Sequence, residues 1–296
     1  MNTLTKLQFD VLTSVEGLKK AQTREEIVAK TGLSADDVNS AIAALNALGY
    51  MNDVAITDEG LIALEPYRVQ RAVILAAGFG HRLVPVTLNT PKPLVRVKGE
   101  RIIDSLLDAL AEAGIKDVII VRGYLSEQFD QLLYKYPYVK FIENPIYNES
   151  NNISSLMCAR FYLKNAYICE ADLFVRNKAV IKKYQYSTNF LGVPVERTDD
   201  WCFTTENGYI TSLKIGGMDC FHVYGISYWN SEDGAKLAVH VKSVYEQPGG
   251  KERLWDMVPF EYHKNDYQIS VRECAMEDIT EIDTFNELKQ IDSVYR

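Results

Sequence analysis

Residues 71–97 read RAVILAAGFGHRLVPVTLNTPKPLVRV. A short apolar run, Ala72 to Ala77, ends in the glycine-bearing turn Gly78-Phe79-Gly80. Arg82 follows, and then Pro91-Lys92-Pro93. A buried strand opening into such a turn presents backbone N–H groups without Cβ hindrance, and such a loop wraps a polyphosphate. Arg82 and Lys92 add the positive charge that a triphosphate and a departing pyrophosphate require. The glycine spacing is not GxGxxG, which argues against a dinucleotide fold. No GK[ST] follows, so the stretch is not a P-loop.

Outward from this stretch, strand and helix signals alternate. Strands are expected at 71–77, 117–121, 139–142 and 166–170, with helices near 102–113, 126–135 and 152–164. That order predicts an α/β domain with a mostly parallel sheet and crossover helices. From about Phe190 the pattern changes to short strands rich in aromatics, and a last helix is expected over Asp283 to Val294. The domain boundary is placed at 68/69, giving segments 1–68 and 69–296.

The first segment differs in character. Helical spacing covers Leu4 to Thr13, Thr23 caps a second helix, and Ser34 caps a third that ends at Gly49. Residues 50–56 and 60–65 are expected to form a small hairpin or wing. Three helices and a hairpin resemble a winged helix-turn-helix domain. DNA binding is disfavoured by charge. Residues 1–70 hold six Lys/Arg against ten Asp/Glu, and the candidate recognition helix, SADDVNSAIAALNALG, has two acids and no Lys or Arg. Docking, on a partner or on a second copy in a homodimer, is the expected role.

The chain has 296 residues, a net charge of −8 and 47% hydrophobic residues, and its apolar runs are strand-sized. A globular protein without a membrane span is expected. The N-terminus lacks a basic region followed by a long apolar core, so no signal peptide is expected. The five cysteines are odd in number and none is at C-x-x-C spacing. They read as reduced thiols of a cytoplasmic protein.

Residues 75–94 resemble the signature LAAGxGxRLxPxTxxxPKPL of the nucleotidyltransferases that make NDP-sugars and CDP-alcohols, and every fixed position is present. The resemblance implies a Rossmann-like nucleotidyltransferase domain with a mostly parallel mixed sheet. It implies nucleotide contacts from Leu75, Ala76, Ala77, Gly78 and Gly80, and catalytic roles for Arg82 and Lys92. It also implies Mg²⁺ held by one acid after the central strand and another from a late segment. These roles fall to Asp172 and Asp283, with Glu170 and Glu281 as the neighbours that would replace them if the register shifts. No long insertion appears, so a large sugar-nucleotide pocket is not expected.

Further segments are similar to bacterial CTP:phosphocholine cytidylyltransferases: Gly123 to Asp130, Asn151-Asn152, Asp200-Trp201, Gly225 to Trp229, Leu254-Trp255-Asp256 and Glu281-Ile282-Asp283. The similarity covers about residues 71–296. It implies CTP and phosphocholine as substrates, with Gly123, Tyr124, Asn151 and Asn152 reading base and ribose. Trp201, Tyr228 and Trp255 are expected to enclose trimethylammonium, with Asp256 or Glu196 adding negative charge. Core packing is the competing role for each aromatic. Aminoethylphosphonate, phosphoethanolamine or a sugar 1-phosphate are the alternative acceptors, and a nucleotide-sensing regulator is the rival outside the enzyme class. None of the four histidines reads as catalytic: His81 sits inside the glycine turn, and His222, His240 and His263 read as surface or packing residues.

Overall fold

The computed structural model describes residues 3–18 and 22–296. Contacts divide it into two units: one of residues up to Arg68 together with Tyr184–Tyr186, and one of Val69–Lys183 with Ser187–Arg296. The return of Tyr184–Tyr186 to the first unit was not anticipated from the sequence.

The first unit holds α1 (Lys6–Val15), α2 (Arg24–Thr31), α3 (Ala35–Ala47), a hairpin of β1 (Met51–Asn52) and β2 (Ala55–Ile56), and α4 (Asp58–Leu64). Thr5, Thr23, Ser34 and Thr57 each cap a helix by accepting from the N–H three residues on. Residues 60–65 had been expected to belong to the wing. They are helical because Thr57 caps them and Asp58 and Glu59 place negative charge in the first turn. Val11, Leu12, Ile27, Val38, Ile42, Leu45 and Leu64 form its core, and Tyr186 stacks on Tyr67 with ring centroids 5.6 Å apart.

The second unit contains β3 (Arg71–Ala76), β4 (Arg96–Val97), β5 (Glu100–Arg101), α5 (Ile102–Glu112), β6 (Asp117–Arg122), β7 (Val139–Glu143), α6 (Ile153–Ala159), β8 (Ala166–Glu170) and β9 (Leu173–Val175). It continues with β10 (Asn189–Glu206), β11 (Tyr209–Trp229), α7 (Ser231–Tyr245), β12 (Ser270–Glu273), β13 (Ile279–Glu281) and α8 (Phe285–Ile291). The seven-stranded sheet has the order β10-β12-β11-β8-β3-β6-β7. β3 runs parallel to β6 and β8, β6 parallel to β7, and β11 antiparallel to β8, so the sheet is mixed. The region past Phe190 departs from the expected short strands. β10 and β11 are 18 and 21 residues long and form one irregular antiparallel hairpin.

Strand alternation sorts the two cores. Ala72, Ile74 and Ala76 of β3 face one core with α5, while Val73 and Leu75 face the other with α6 and α7. Both faces are covered, which accounts for the unbroken apolar run of β3. α7 starts tightly against the chain at 163–164, where a Cβ on Gly234 would lie 2.2 Å from the Leu163 carbonyl oxygen.

Gly234→Ala is expected to destabilise the second unit by about 2 kcal/mol, lowering Tm by roughly 4–8 °C. Gly78→Ala, whose Cβ would meet nothing within 4 Å, should leave Tm unchanged. Thermal unfolding followed by circular dichroism checks both.

Candidate active site

β3 ends at Ala76, and the chain leaves the sheet through Ala77, Gly78, Phe79 and Gly80 beside the carboxyl ends of β6 and β8. Open α/β sheets bind ligands at that end. A cleft of about 740 Å³ opens there. Leu75 to Arg82, Lys92, Asn151, Asn152, Glu170, Asp172 and Asp283 all line it. Gly80 has φ +73°, and a Cβ there would press on the Cβ of Lys92 at 3.0 Å, so only glycine fits without displacement. The Thr87 hydroxyl donates to the Gly80 carbonyl at 3.0 Å and fixes the turn from below.

The carboxylates converge through a local pairing. Asp172 sits between β8 and β9, and Asp283 lies two residues past β13. β9 and β13 pair antiparallel, with Leu173 opposite Glu281. That pairing brings Asp172, Glu281 and Asp283 together, with one oxygen of each within 4.8 Å of the others. Lys92 Nζ bridges the group, 2.8 Å from Asp172 Oδ2 and 2.9 Å from Asp283 Oδ1. Arg82 reaches Asp283 Oδ1 at 2.8 Å from a mostly exposed position.

Electrostatics follow from this crowding. Burial opposes the charge on Lys92, yet Asp172 and Asp283 outweigh it and leave the amine above the ordinary lysine range. Burial and then repulsion from Asp172 and Asp283 push Glu281 upward. Burial, followed by repulsion from Asp172 and Asp256, pushes Glu170 up to about 8.

The other sequence-selected residues separate into two groups. Asn151 and Asn152 line the cleft and also tie it to the 251–255 segment. The Asn151 amide donates to the Glu252 carbonyl at 3.2 Å, and Asn152 Oδ1 accepts from the Trp255 N–H at 2.9 Å. Gly123 and Tyr124 stand behind the lining. A Cβ on Gly123 would strike the Tyr147 ring at 2.7 Å, and Tyr147 itself faces the cleft. Tyr124 clamps the signature loop: its N–H donates to the Ala77 carbonyl at 3.0 Å, and its hydroxyl donates to the Thr87 and Leu88 carbonyls.

The three aromatics of the expected cage do not meet. Tyr228 is 1% exposed and packs edge-on against Tyr167 in the α5-side core. Its neighbour Trp229 points to the opposite face of the sheet, where Trp255 also lies. Alternation along β11 therefore keeps Tyr228 from sharing a site with Trp255. Trp255 stacks on Phe190 at 5.8 Å and offers only its indole N–H, 3.3 Å from Glu170 Oε1. Trp201 is half-buried on the β10–β11 hairpin opposite Ile215 and does not line the cleft.

Sequence reasoning missed Asn144, Tyr147, Ser154 and Ser155 in the lining. Asn144 is 2% exposed and its amide donates to both serine hydroxyls, at 2.9 and 3.1 Å. The clustering of amides and hydroxyls over 144–155 was the available signal.

A parallel-sheet cleft with a glycine turn, two cations and a carboxylate trio describes a nucleotide-handling transferase. The sequence profile of the Nucleotidyl transferase family matches residues 71–187. The 2-aminoethylphosphonate cytidylyltransferase of Lancefieldella rimae is 35% identical over 228 residues, 76% of this chain and 92% of that protein. The choline-phosphate cytidylyltransferase of Streptococcus pneumoniae is 31% identical over 231 residues, 76% of this chain and 98% of that one. A solved structure of the CTP:phosphocholine cytidylyltransferase from Streptococcus pneumoniae superposes with a TM-score of 0.71 at 29% identity, over 77% of this chain and 100% of its own. The inositol-1-phosphate CTP transferase from T. maritima shares the fold, with a TM-score of 0.60 at 17% identity over 77% and 95% of the two chains. The chain belongs to the nucleotidyltransferase family, and within it is a cytidylyltransferase.

Enzymes of this family commonly use a divalent metal. The oxygen-only donors of Asp172, Glu281 and Asp283 suit a hard cation such as Mg²⁺, and Asp172 Oδ1 is buried without a hydrogen-bond partner among the described residues. Among the described residues, no helix is long and apolar enough to cross a membrane.

Lys92→Met removes the cation between Asp172 and Asp283, and is expected to cost about 3 kcal/mol of stability. Added Mg²⁺ should raise Tm more in the variant than in the unaltered protein, because it replaces the lost charge. Equal metal-induced shifts in both would contradict this electrostatic account.

Proposed function

We propose that the enzyme transfers the cytidylyl group of CTP to a small phosphonate or phosphate ester bearing a primary ammonium, of the 2-aminoethylphosphonate class. One observation carries the choice of acceptor: beyond the carboxylate trio the cleft wall includes the carboxyl group of Glu170, with Asp256 close to it, whereas Trp201, Tyr228 and Trp255 do not line it. Glu170 lines the cleft, and Asp256 is near enough to raise its pKa. Asp256 Oδ1 is buried without a hydrogen-bond partner among the described residues. A primary ammonium has three protons to donate and satisfies such acceptors, whereas trimethylammonium has none and prefers aromatic faces. The 35% identity to the 2-aminoethylphosphonate enzyme supports the same reading.

In this reaction the triphosphate lies along the Leu75 to Gly80 backbone, with Arg82 on its β- and γ-phosphates. Lys92 spans the α-phosphate and the acceptor anion, and Asn151 and Asn152 read the nucleoside. An anionic acceptor oxygen attacks the α-phosphorus in line. The new P–O bond forms as the α–β bridge breaks, and pyrophosphate leaves with the electron pair. The nucleophile is already deprotonated, so no general base is needed, and the residues act by positioning and by neutralising charge. A divalent cation held by Asp172 and Asp283, with Glu281 beside them, would supply further neutralisation of the triphosphate.

Phosphocholine is the second reading. It is favoured by the full-length match to the solved phosphocholine enzyme and by Trp201, half-buried beside Asp200 on the hairpin. For the first unit we propose docking rather than DNA binding, because α3 carries Asp36 and Asp37 in its first turn and no basic residue.

Pyrophosphate release with Mg²⁺ tests the assignment across CTP, UTP, GTP, ATP and dTTP, each with 2-aminoethylphosphonate, phosphoethanolamine, phosphocholine and glucose 1-phosphate. Turnover is expected with CTP, and fastest with 2-aminoethylphosphonate. Preference for phosphocholine, lost in Trp201→Ala, would overturn the acceptor choice in favour of the second reading.

Asp256→Asn gives a separate check. Burial raises the Asp256 carboxyl to about 6. Ionisation in the folded state then lowers stability progressively as pH rises from about 4 to 6, by about 3 kcal/mol in all. The variant should melt higher than the unaltered enzyme at pH 7.5 while its KM for the amine acceptor rises about tenfold or more and its KM for CTP stays unchanged.

A further inference from the structure

Asp283 Oδ1 meets Lys92 Nζ at 2.9 Å and Arg82 at 2.8 Å, yet the pairing that gathers the carboxylates stops short of this residue. The β9–β13 ladder ends with Leu173 opposite Glu281. Beyond it come the fully buried Ile282, then Asp283 and Thr284, then α8. The Asp283 backbone is held from that helix. Glu287 Oε2 accepts from the Asp283 N–H and from the Thr284 N–H, each at 2.8 Å. Thr284 Oγ1 accepts in turn from the Glu287 N–H at 3.2 Å. We propose that Glu287 is a positioning residue for nucleotidyl transfer, holding the Asp283 backbone so that its carboxylate stands ready for a divalent cation.

Three observations separate this role from helix capping alone. The first is an extra bond. A capping box uses two reciprocal bonds, one from the Glu287 N–H to the Thr284 side chain and one from the Thr284 N–H to the Glu287 side chain. The bond from the Asp283 N–H lies outside that box and fixes the residue that meets both cations. The second is anchorage. Leu288 and Ile282 share an apolar cluster with Leu83, next to Arg82, and with Val95, just past Lys92. After the helix, Asp292 Oδ2 accepts from the Lys98 N–H at 2.6 Å, and the Tyr295 hydroxyl donates to the Arg96 carbonyl at 2.7 Å. α8 is therefore tied to the segment that carries both cations, and Glu287 passes that anchorage to Asp283. The third is where Glu287 stands. The oxygens that gather in the cleft come from Asp172, Glu281 and Asp283, and Glu287 neither joins them nor lines the cleft. Its effect on a cation passes through Asp283.

The physical consequence is preorganisation. Two consecutive peptide groups bound to one carboxylate oxygen lose freedom that an unpaired turn would keep. A cation that binds Asp283 then has less of the chain to order, and the group behind a ligand governs affinity together with the ligand itself. The inference rests on the reading of Asp283 as a holder of the divalent cation, and it is independent of which acceptor the enzyme uses.

The test follows Mn²⁺, a paramagnetic stand-in for Mg²⁺, binding to the full chain by electron paramagnetic resonance, at one fixed concentration of CTP without acceptor. Glu287→Ala should weaken Mn²⁺ binding about tenfold and raise by a similar factor the Mg²⁺ concentration that half-saturates pyrophosphate release. Glu287→Gln keeps an oxygen that accepts from both N–H groups and should restore the affinity. Thr284→Val removes the other half of the capping box, and should lower Tm while leaving Mn²⁺ binding near that of the unaltered chain. Unchanged affinity in Glu287→Ala, or equal losses in Glu287→Ala and Thr284→Val, would overturn the proposal. Glu287→Met, which keeps the side-chain stem, takes the place of Glu287→Ala if that variant fails to fold. Asp283→Asn separates the two assignments. A loss of Mn²⁺ affinity there with none in Glu287→Ala sinks only the role of Glu287, whereas unchanged affinity there sinks the metal reading of Asp283 and this proposal with it.

Discussion

Lys92 is where distant parts of the chain become one site. It lies near the end of the signature stretch, yet its ammonium reaches Asp172, 80 residues on, and Asp283, 191 residues on. Without a cation between them, Asp172, Glu281 and Asp283 would repel one another at the separations the β9–β13 pairing imposes. Lys92 is 8% exposed, so water does little to screen these charges. The rigid loop beneath it depends on the same contact, since Gly80 approaches the lysine side chain too closely for any other residue. Glycine turn, lysine and carboxylates therefore form a single mutually dependent unit.

That dependence explains which parts of the site were legible from sequence. The glycine turn, Arg82, Lys92, Asn151 and Asn152 lie in continuous segments whose spacing carries their meaning, and the structure places all of them at one cleft. Asp172 was legible from its position at the carboxyl end of a central strand. Asp283 was legible only through resemblance, because nothing local says that β13 will pair with β9. The proximity of Glu281 depends on the register of that pairing, which short strands do not encode by themselves.

The aromatics were the least legible part. Tyr228 and Trp229 are adjacent in sequence, and a list of aromatics cannot say which faces a ligand. The pleat decides, sending them to opposite cores. The long β10–β11 hairpin hid for a related reason. Register shifts between Phe190 and Thr205 interrupt the period-2 pattern, so one continuous hairpin reads as several short strands. In the first unit, α4 was concealed by its shortness. Seven residues carry too little periodicity to distinguish a helix from a wing, and Thr57 with two acids was the better signal.

The acidity of the cleft is costly to bury, and its distribution is informative. Lys92 offsets part of the charge near Asp172 and Asp283, but among the described residues no cation hydrogen-bonds to Glu170 or Asp256. Among the described residues, Glu170 receives only an amide and an indole N–H, both at 3.3 Å. A buried carboxyl group held by such weak donors sits well above its ordinary pKa, and a cation brought beside it favours its ionised form. A cationic head whose protons can reach both carboxylates removes this penalty on binding, and one shielded by methyl groups removes less of it. Under the proposed assignment, acceptor selectivity and the cost of burying these carboxyl groups share one physical origin.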